Sequence, residues 1–176
     1  TGALDNAAGV ISGASLNLLS QALDNRNGLL LSSGDMRINT QGAQLNNSGT
    51  ASAGIRAQGA LTLNTGALNN ASGFIAARDA TLTTAALNNQ SGTVASNETL
   101  VVHATEVSNR LGVLQSAGDI TLTGSGLDNT QGKVLADGPL GIRTRDISNQ
   151  QGLLQGGRGV SLAQTGLLDN QGGNVL

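Results

Sequence analysis

The skeleton Leu-Asp/Asn-Asn-x-x-Gly returns along this chain about every 20 residues, in stretches such as "ALDNRNGLLLS" (22–32), "ALNNASGFIAA" (67–77) and "GLDNTQGKVLA" (126–136). Aligned on its second Asn, the motif falls at Asn6, Asn25, Asn47, Asn70, Asn89, Asn109, Asn129, Asn149 and Asn170, at intervals between 19 and 23 residues. A unit of that length cannot bury an apolar face alone, so it must stack on copies of itself. Few folds satisfy that condition.

The rest of each unit has a fixed parity. Two residues before every ladder Asn stands an aliphatic residue, from Leu4 to Leu168. Two beyond the motif Gly stands another apolar residue: Ile11, Leu30, Ala51, Ile75, Val94, Leu114, Val134, Leu154 and Val175. Four past the Gly the residue is small (Gly13, Ser32, Ala53, Ala77, Ser96, Ser116, Ala136, Gly156), which marks a crowded position. An apolar pair then completes the unit, as in Leu16/Leu18, Met36/Ile38, Leu82 with Ala80, and Ile120/Leu122, with Asn17, Arg37, Thr81 and Thr121 between the partners. Alternation of this kind is the mark of a strand with one side in and one side out. The sequence therefore predicts an all-β, right-handed parallel β-helix, a solenoid of about nine coils of about 20 residues, filling 1–176 as a single segment. At ~4.8 Å per coil the rod is on the order of 40 Å long.

Composition sharpens this. Hydrophobic residues make up 38% of the chain, too many for a disordered polar tract, yet aromatics make up 1%, so the interior must be aliphatic. Gly is abundant (26) and Pro almost absent (1), so turns rely on free backbone. A leucine-rich repeat has a similar period, but its helical half has no counterpart in gaps made of Gly, Asn, Ser and Thr. The net charge of −2 gives no reason to expect nucleic acid, and the lack of Cys excludes disulfides and thiolate chemistry. No apolar run approaches the ~20 residues of a membrane helix.

In a stack the nine Asn residues form a structural ladder, side chain to side chain or side chain to turn backbone. The Gly that follows either enters φ > 0 or lets neighbouring coils approach closely. Neither role is catalytic. Asp precedes the ladder Asn in four coils only (Asp5, Asp24, Asp128, Asp169), and the calcium-binding nonapeptide repeat is absent, so no metal site and no cofactor are expected. A polysaccharide-cleaving β-helix would need several acids on adjacent coils, and none are grouped in the sequence. His103 stands on the outer face without a nucleophile beside it. The chain is accordingly read as not an enzyme. Ice binding fails too, since Thr-Leu-Thr recurs cleanly only at 81–83 and 121–123.

Two features are weak binding candidates. Lys133, Arg143, Arg145 and Arg158 give the last coils a basic tilt suited to an anionic glycan, diluted by Asp137 and Asp146, and Phe74 is an outward aromatic. About two extra residues in 39–44 and about four in 51–60 should bulge as longer turns, with little in them to bind a ligand.

Units such as "GDITLTGSGLDNTQGKVLA" (118–136) resemble the repeats of filamentous haemagglutinin from Leu4 to Leu176. The resemblance implies a shaft segment of a very large bacterial protein exported by two-partner secretion, either an adhesin or a contact-dependent growth inhibition toxin. Its implied partners are flanking β-helical coils, an outer-membrane transporter during secretion, and a host or target-cell receptor. Its implied location is secreted or at the cell surface. A polysaccharide-binding or polysaccharide-cleaving β-helix protein is the alternative. The chain opens three residues before a repeat Leu and stops inside a strand, so a fragment of a longer shaft is expected, with end-to-end association through uncapped edges visible by sedimentation.

Overall fold

The structure is a computed structural model that describes residues 2–176, with Thr1 outside the described residues. Every regular element among them is a strand, and every strand pairing is parallel. One sheet has nine strands in strict chain order, one per coil: Val10–Gly13, Leu29–Ser32, Gly54–Ala57, Phe74–Ala77, Thr93–Ser96, Val113–Ser116, Lys133–Ala136, Leu153–Gly156 and Asn174–Val175. The other, of 14 strands, collects the second strand of each coil and the short strand before each ladder Asn. In the middle of the rod these two fuse into ten-residue strands, Ala60–Asn69, Asp79–Asn88 and Thr99–Ser108. The result is a β-solenoid of nine turns.

Four aliphatic columns fill the interior. Leu23, Leu45, Leu68, Leu87, Val107, Leu127 and Ile147 stack in one, Leu30, Ile55, Ile75, Val94, Leu114, Val134 and Leu154 in the facing one, and all are at most 2% exposed. Met36, Leu61, Leu100, Ile120 and Leu140 lie in the third, and Ile38, Leu63, Leu82, Val102, Leu122 and Ile142 in the fourth. Period-two alternation buries every second side chain, and each buried Leu or Ile stabilises the fold by roughly 1.5–3 kcal/mol relative to exposure. Leu4, Ile11, Leu16, Leu18, Val160 and Leu162 in the terminal coils are only partly buried, because a stack covers an end coil from one side.

The third coil departs from the sequence expectation. Ala51 was expected to point inward and Ala53 to occupy the narrow position. Instead Ile55 pairs with Leu30 and Ile75, and Ala57 pairs with Ser32 at the narrow position. Ala51 is exposed, with φ 49°. The surplus residues are confined to a corner at 50–53, closed by a bond from the Ala53 N–H to the Thr50 carbonyl (2.8 Å), and the strand resumes at Gly54. Thr50 repairs the joint to the next coil: its hydroxyl accepts the Phe74 N–H at 2.9 Å, the part that a Gly carbonyl plays in regular coils, as Gly73 does for Thr93. The residues added in 39–44 form a turn in which the Ala43 N–H meets the Thr40 carbonyl at 2.9 Å. Leu45 then rejoins Leu23 and Leu68 in register.

Candidate functional site

The ladder is continuous. The Asn6 Nδ2 donates to the Asn25 Oδ1, Asn25 to Asn47, Asn47 to Asn70, and so on through Asn89, Asn109, Asn129 and Asn149 to Asn170, in eight bonds of 2.7–2.8 Å. All point the same way along the rod. The side-chain amide is the group that carries such a row, because each rung must accept at its oxygen and donate from its nitrogen. An ionised Asp would only accept. The Nδ2 groups also donate to strand carbonyls of the next coil, for example Asn109 to Lys133 at 3.1 Å, and to the Gly of their own turn, as Asn109 to Gly112 at 3.3 Å. From Asn25 to Asn149 the rungs are 0% exposed, so no ligand reaches them.

Between the two roles left open for the motif Gly, close approach is the one observed. A Cβ on Gly112 would collide with the carbonyl oxygen of Asn89 in the preceding coil and sit 2.6 Å from the Asn109 Oδ1, and Gly92, Gly132 and Gly152 are equally confined. The positive φ falls one residue earlier, on Ala8, Asn27, Ser72, Ser91, Leu111, Gln131 and Gln151, at 51–56°. Since the left-handed region disfavours an L-residue by ~1–2 kcal/mol, each regular corner carries a small strain that the ladder and the coil-to-coil bonds offset.

The residue before the rung caps the turn. A side-chain oxygen of Asp24, Asn46, Asn69, Asn88, Asp128 or Asp169 accepts the N–H two positions on, at 3.0–3.2 Å across the rod's turns. Asp and Asn interchange here because only an acceptor is required. The acids are further engaged by neighbouring cations: Arg26 with Asp24 (2.7 Å), Arg78 with Asp79 (3.0 Å), Arg110 with Asp128 (3.1 Å) and Arg145 with Asp146 (2.6 Å). Hydrogen bonding from Arg26 holds the Asp24 carboxyl below the ordinary carboxylate range, and the Leu167 N–H followed by Arg145 does the same for Asp146. Among the described residues no group of three or more His, Cys, Asp or Glu is placed to hold a metal ion. His103 is exposed, beside Thr83 and Thr123 on the flanking strands.

The weak binding candidates do not converge. Lys133 is on the nine-stranded sheet, Arg143 on the 14-stranded one, and Arg158 in the turn between Leu153–Gly156 and Val160–Gln164. Arg145 is committed to Asp146. Residues adjacent in the chain are spread around the circumference of a coil, which turns the basic tilt of the sequence into separated charges. Phe74 points outward but is half-buried, with the Arg56 guanidinium 4.9 Å from its ring centroid.

Two surface features complete the picture. The outer face of the nine-stranded sheet is mixed, with Val10, Leu29, Leu31, Val113, Leu135 and Leu153 interspersed with Ser12, Arg56, Thr93, Gln115, Lys133 and Gln155, whereas the equivalent face of the 14-stranded sheet is mostly polar, with Asn17, Arg37, Thr62, Thr81, Thr121 and Ser161 beside Val101. The second feature is an open polar groove of about 450 Å³ over the late corners, lined by Arg110, Thr130, Gln131, Gln150, Gln151 and Gln171. There the Gln131 Nε2 donates to the Gln151 Oε1 at 2.9 Å and the Gln150 Nε2 to Asp169 at 2.6 Å.

The profile of the haemagglutinin repeat family matches four overlapping segments, residues 1–54, 42–89, 75–136 and 124–172. No curated protein and no solved structure matches the chain.

Proposed function

The chain belongs to the haemagglutinin repeat family, and from that membership we propose that it is a shaft segment of a large secreted bacterial surface protein, an adhesin or a contact-dependent growth inhibition toxin. Its work is to hold a binding or toxin region away from the cell. The observation that carries this reading is the unbroken row of eight Asn–Asn bonds, with aliphatic columns beside it, along the whole length of the rod. An interior filled by side chains leaves no room for chemistry, and Asp24, Asp79, Asp128, Asp146 and Asp169 are taken up in capping turns or in pairing with neighbouring side chains. The segment is accordingly non-catalytic. Its partners are further coils of the parent and the outer-membrane transporter during export, and receptor contact belongs to other parts of the parent.

Imaging tests it. With a short tag inserted in the exposed corner at 51–52, electron microscopy of the full-length parent should show the label part-way along a thin rod. A label inside a globular head, or a parent without a rod, overturns the reading.

A second reading, binding of a hydroxyl-rich polysaccharide, is favoured by the amide-lined groove at Gln131, Gln150, Gln151 and Gln171. Titration with neutral and anionic glycans, and loss of any signal in Gln150→Ala/Gln151→Ala, decides it.

A further inference from the structure

We propose that Asn27 is a deamidation site whose ring-closing step with Gly28 is barred in the folded rod and open whenever the second coil is unfolded, and that its isoaspartyl product cannot re-enter the corner. This goes beyond the shaft reading and does not depend on it.

Asn27–Gly28 is the one Asn–Gly pair in the chain. In a flexible chain such a pair loses its amide without a catalyst, because Gly leaves the following nitrogen unshielded and the backbone free to turn. The Gly28 nitrogen gives up its proton and attacks the Asn27 Cγ. The new C–N bond closes a five-membered imide while the Cγ–Nδ2 bond breaks, and the side-chain nitrogen leaves with that proton as ammonia. Water then opens the imide. Cleavage at Cγ restores the backbone with an aspartate at 27, and cleavage at the main-chain carbonyl leaves an isoaspartate, whose backbone runs through Cβ and Cγ and is one atom longer.

Solvent access does not protect Asn27, whose side chain is exposed. The backbone does. The Gly28 N–H donates to the Asn25 carbonyl at 3.0 Å, the Asn27 N–H to Ser48 at 3.2 Å and the Leu29 N–H to Gly9 at 2.9 Å. Ring closure has to swing the Asn27–Gly28 peptide out of the first of these bonds and disturb the other two. Gly28 has nowhere to move, since a Cβ there would lie 2.4 Å from the Asn6 carbonyl oxygen and 2.6 Å from the Asn25 Oδ1. The Asn27 side chain meanwhile leans along the rod, its Oδ1 2.9 Å from where a Cβ on Gly49 of the third coil would stand. The same confinement separates the two products. An aspartate at 27 keeps the backbone, and equivalent corners hold Ala8, Ser72, Gln131 and Gln151 at φ 51–56°. An isoaspartate adds its atom between the Asn25 rung and Leu30, both fixed to the third coil, at a place without space for a methyl.

Peptide mapping by mass spectrometry tests this on the 176-residue chain, held in neutral buffer with and without enough guanidinium to abolish its β-sheet circular dichroism. In denaturant Asn27 should convert as fast as in a free peptide of residues 22–32. The folded chain should convert at least ~10-fold more slowly, because reaction waits on local opening. Equal rates in the two states overturn the proposal, as does a lack of conversion at 27 in denaturant. Asn27→Gln, which closes its larger ring far more slowly and matches Gln131 and Gln151 at the same corner, should fold normally and abolish the signal. Conversion that survives it arises elsewhere and refutes the assignment. Chain aged in denaturant is then returned to buffer and divided by resistance to trypsin. Isoaspartate, labelled with an isoaspartyl methyltransferase, should gather in the digested fraction and aspartate in the resistant one. Isoaspartate shared equally between them overturns the second half of the proposal. So does an Asn27→Asp chain digested as readily as the aged one, which would place the damage in the new charge instead of the added atom.

Discussion

Coil 3 and coil 6 carry the same columns on different corners. In coil 6 the chain passes from Asn109 through a tight turn, with φ 56° at Leu111 and no room for a Cβ at Gly112, straight into Val113–Ser116. In coil 3 it leaves Asn47, wanders through Gly49 (φ 68°), Ala51 and Gly54 (φ 70°), and reaches its strand later. Yet both rungs are fully buried, and both bond to the rungs above and below at 2.7–2.8 Å. Corners absorb irregular length, and columns do not.

The largest effects should come from the columns and should be blind to the corner. Asn109→Ala leaves the Asn89 Nδ2 without its rung acceptor and the Asn129 Oδ1 without its donor, two buried polar groups at ~1–3 kcal/mol each, for a loss of about 4 kcal/mol. Asn47→Ala should lose the same within about 1 kcal/mol, measured by urea unfolding with far-ultraviolet circular dichroism. A much milder Asn47→Ala would mean that the row is effectively interrupted at coil 3. Asn109→Asp should destabilise as well, because a carboxylate cannot donate to Asn129.

Next in size is the corner itself. Gly112→Ala forces a methyl against the Asn89 carbonyl and the Asn109 Oδ1, an overpacking of about 2–3 kcal/mol. In coil 3 the residue preceding Gly54 at the equivalent corner is already Ala53, tolerated because the chain there swings wide. Ala53→Gly should therefore change the melting temperature little, and a comparable loss in both would show that crowding is not what selects Gly.

These contrasts also explain what was legible in the sequence. The leucine and asparagine columns could be read because each residue repeats once per circuit, and a stack turns that period directly into contacts. The register of coil 3 could not be read from parity, since Ala51, Ala53, Ile55 and Ala57 alternate together. Side-chain volume breaks the tie, because the column beside Leu30 and Ile75 needs Ile55. The sequence leaves the motif Gly two roles, positive φ or close approach, and at this corner the approach of the neighbouring coil claims the Gly while the left-handed residue stands one step back. Lys133, Arg143, Arg145 and Arg158 looked like a patch because they are near one another in the chain, and a coil distributes such residues around its girth.

A smaller and opposite effect follows from the strained corner. Leu111 is 57% exposed at φ 56°, where a β-unbranched apolar side chain gains nothing and the left-handed backbone is disfavoured. Leu111→Asn should raise stability by about 1 kcal/mol, since Asn adopts this region more readily. Gln41 and Gly42 in the added turn at 40–43, with φ 53° and 82°, show the chain meeting the same need with a Gly beside it. No gain in the melting temperature of Leu111→Asn would mean that Leu111 makes a contact that compensates for its backbone.

The smallest effect should come from rebuilding coil 3 to resemble coil 6. Deleting Thr50–Ser52 and replacing Ala53 by Gly restores the spacing Asn47-Ser-Gly-Gly-Gly-Ile, so that Ile55 follows the rung at the interval by which Leu30 follows Asn25. The change removes the Thr50 hydroxyl that accepts the Phe74 N–H, worth ~1 kcal/mol, but the carbonyl of the new Gly is placed to accept it, as Gly73 accepts from Thr93. The shorter connection also lowers the entropy of closing the corner by less than ~0.6 kcal/mol. The two terms nearly cancel, and the melting temperature should stay within a few degrees. A variant that fails to fold would show that the wide corner is needed to bring Ile55 into its column, and that coil 3 is held by its corner as well as by its ladder.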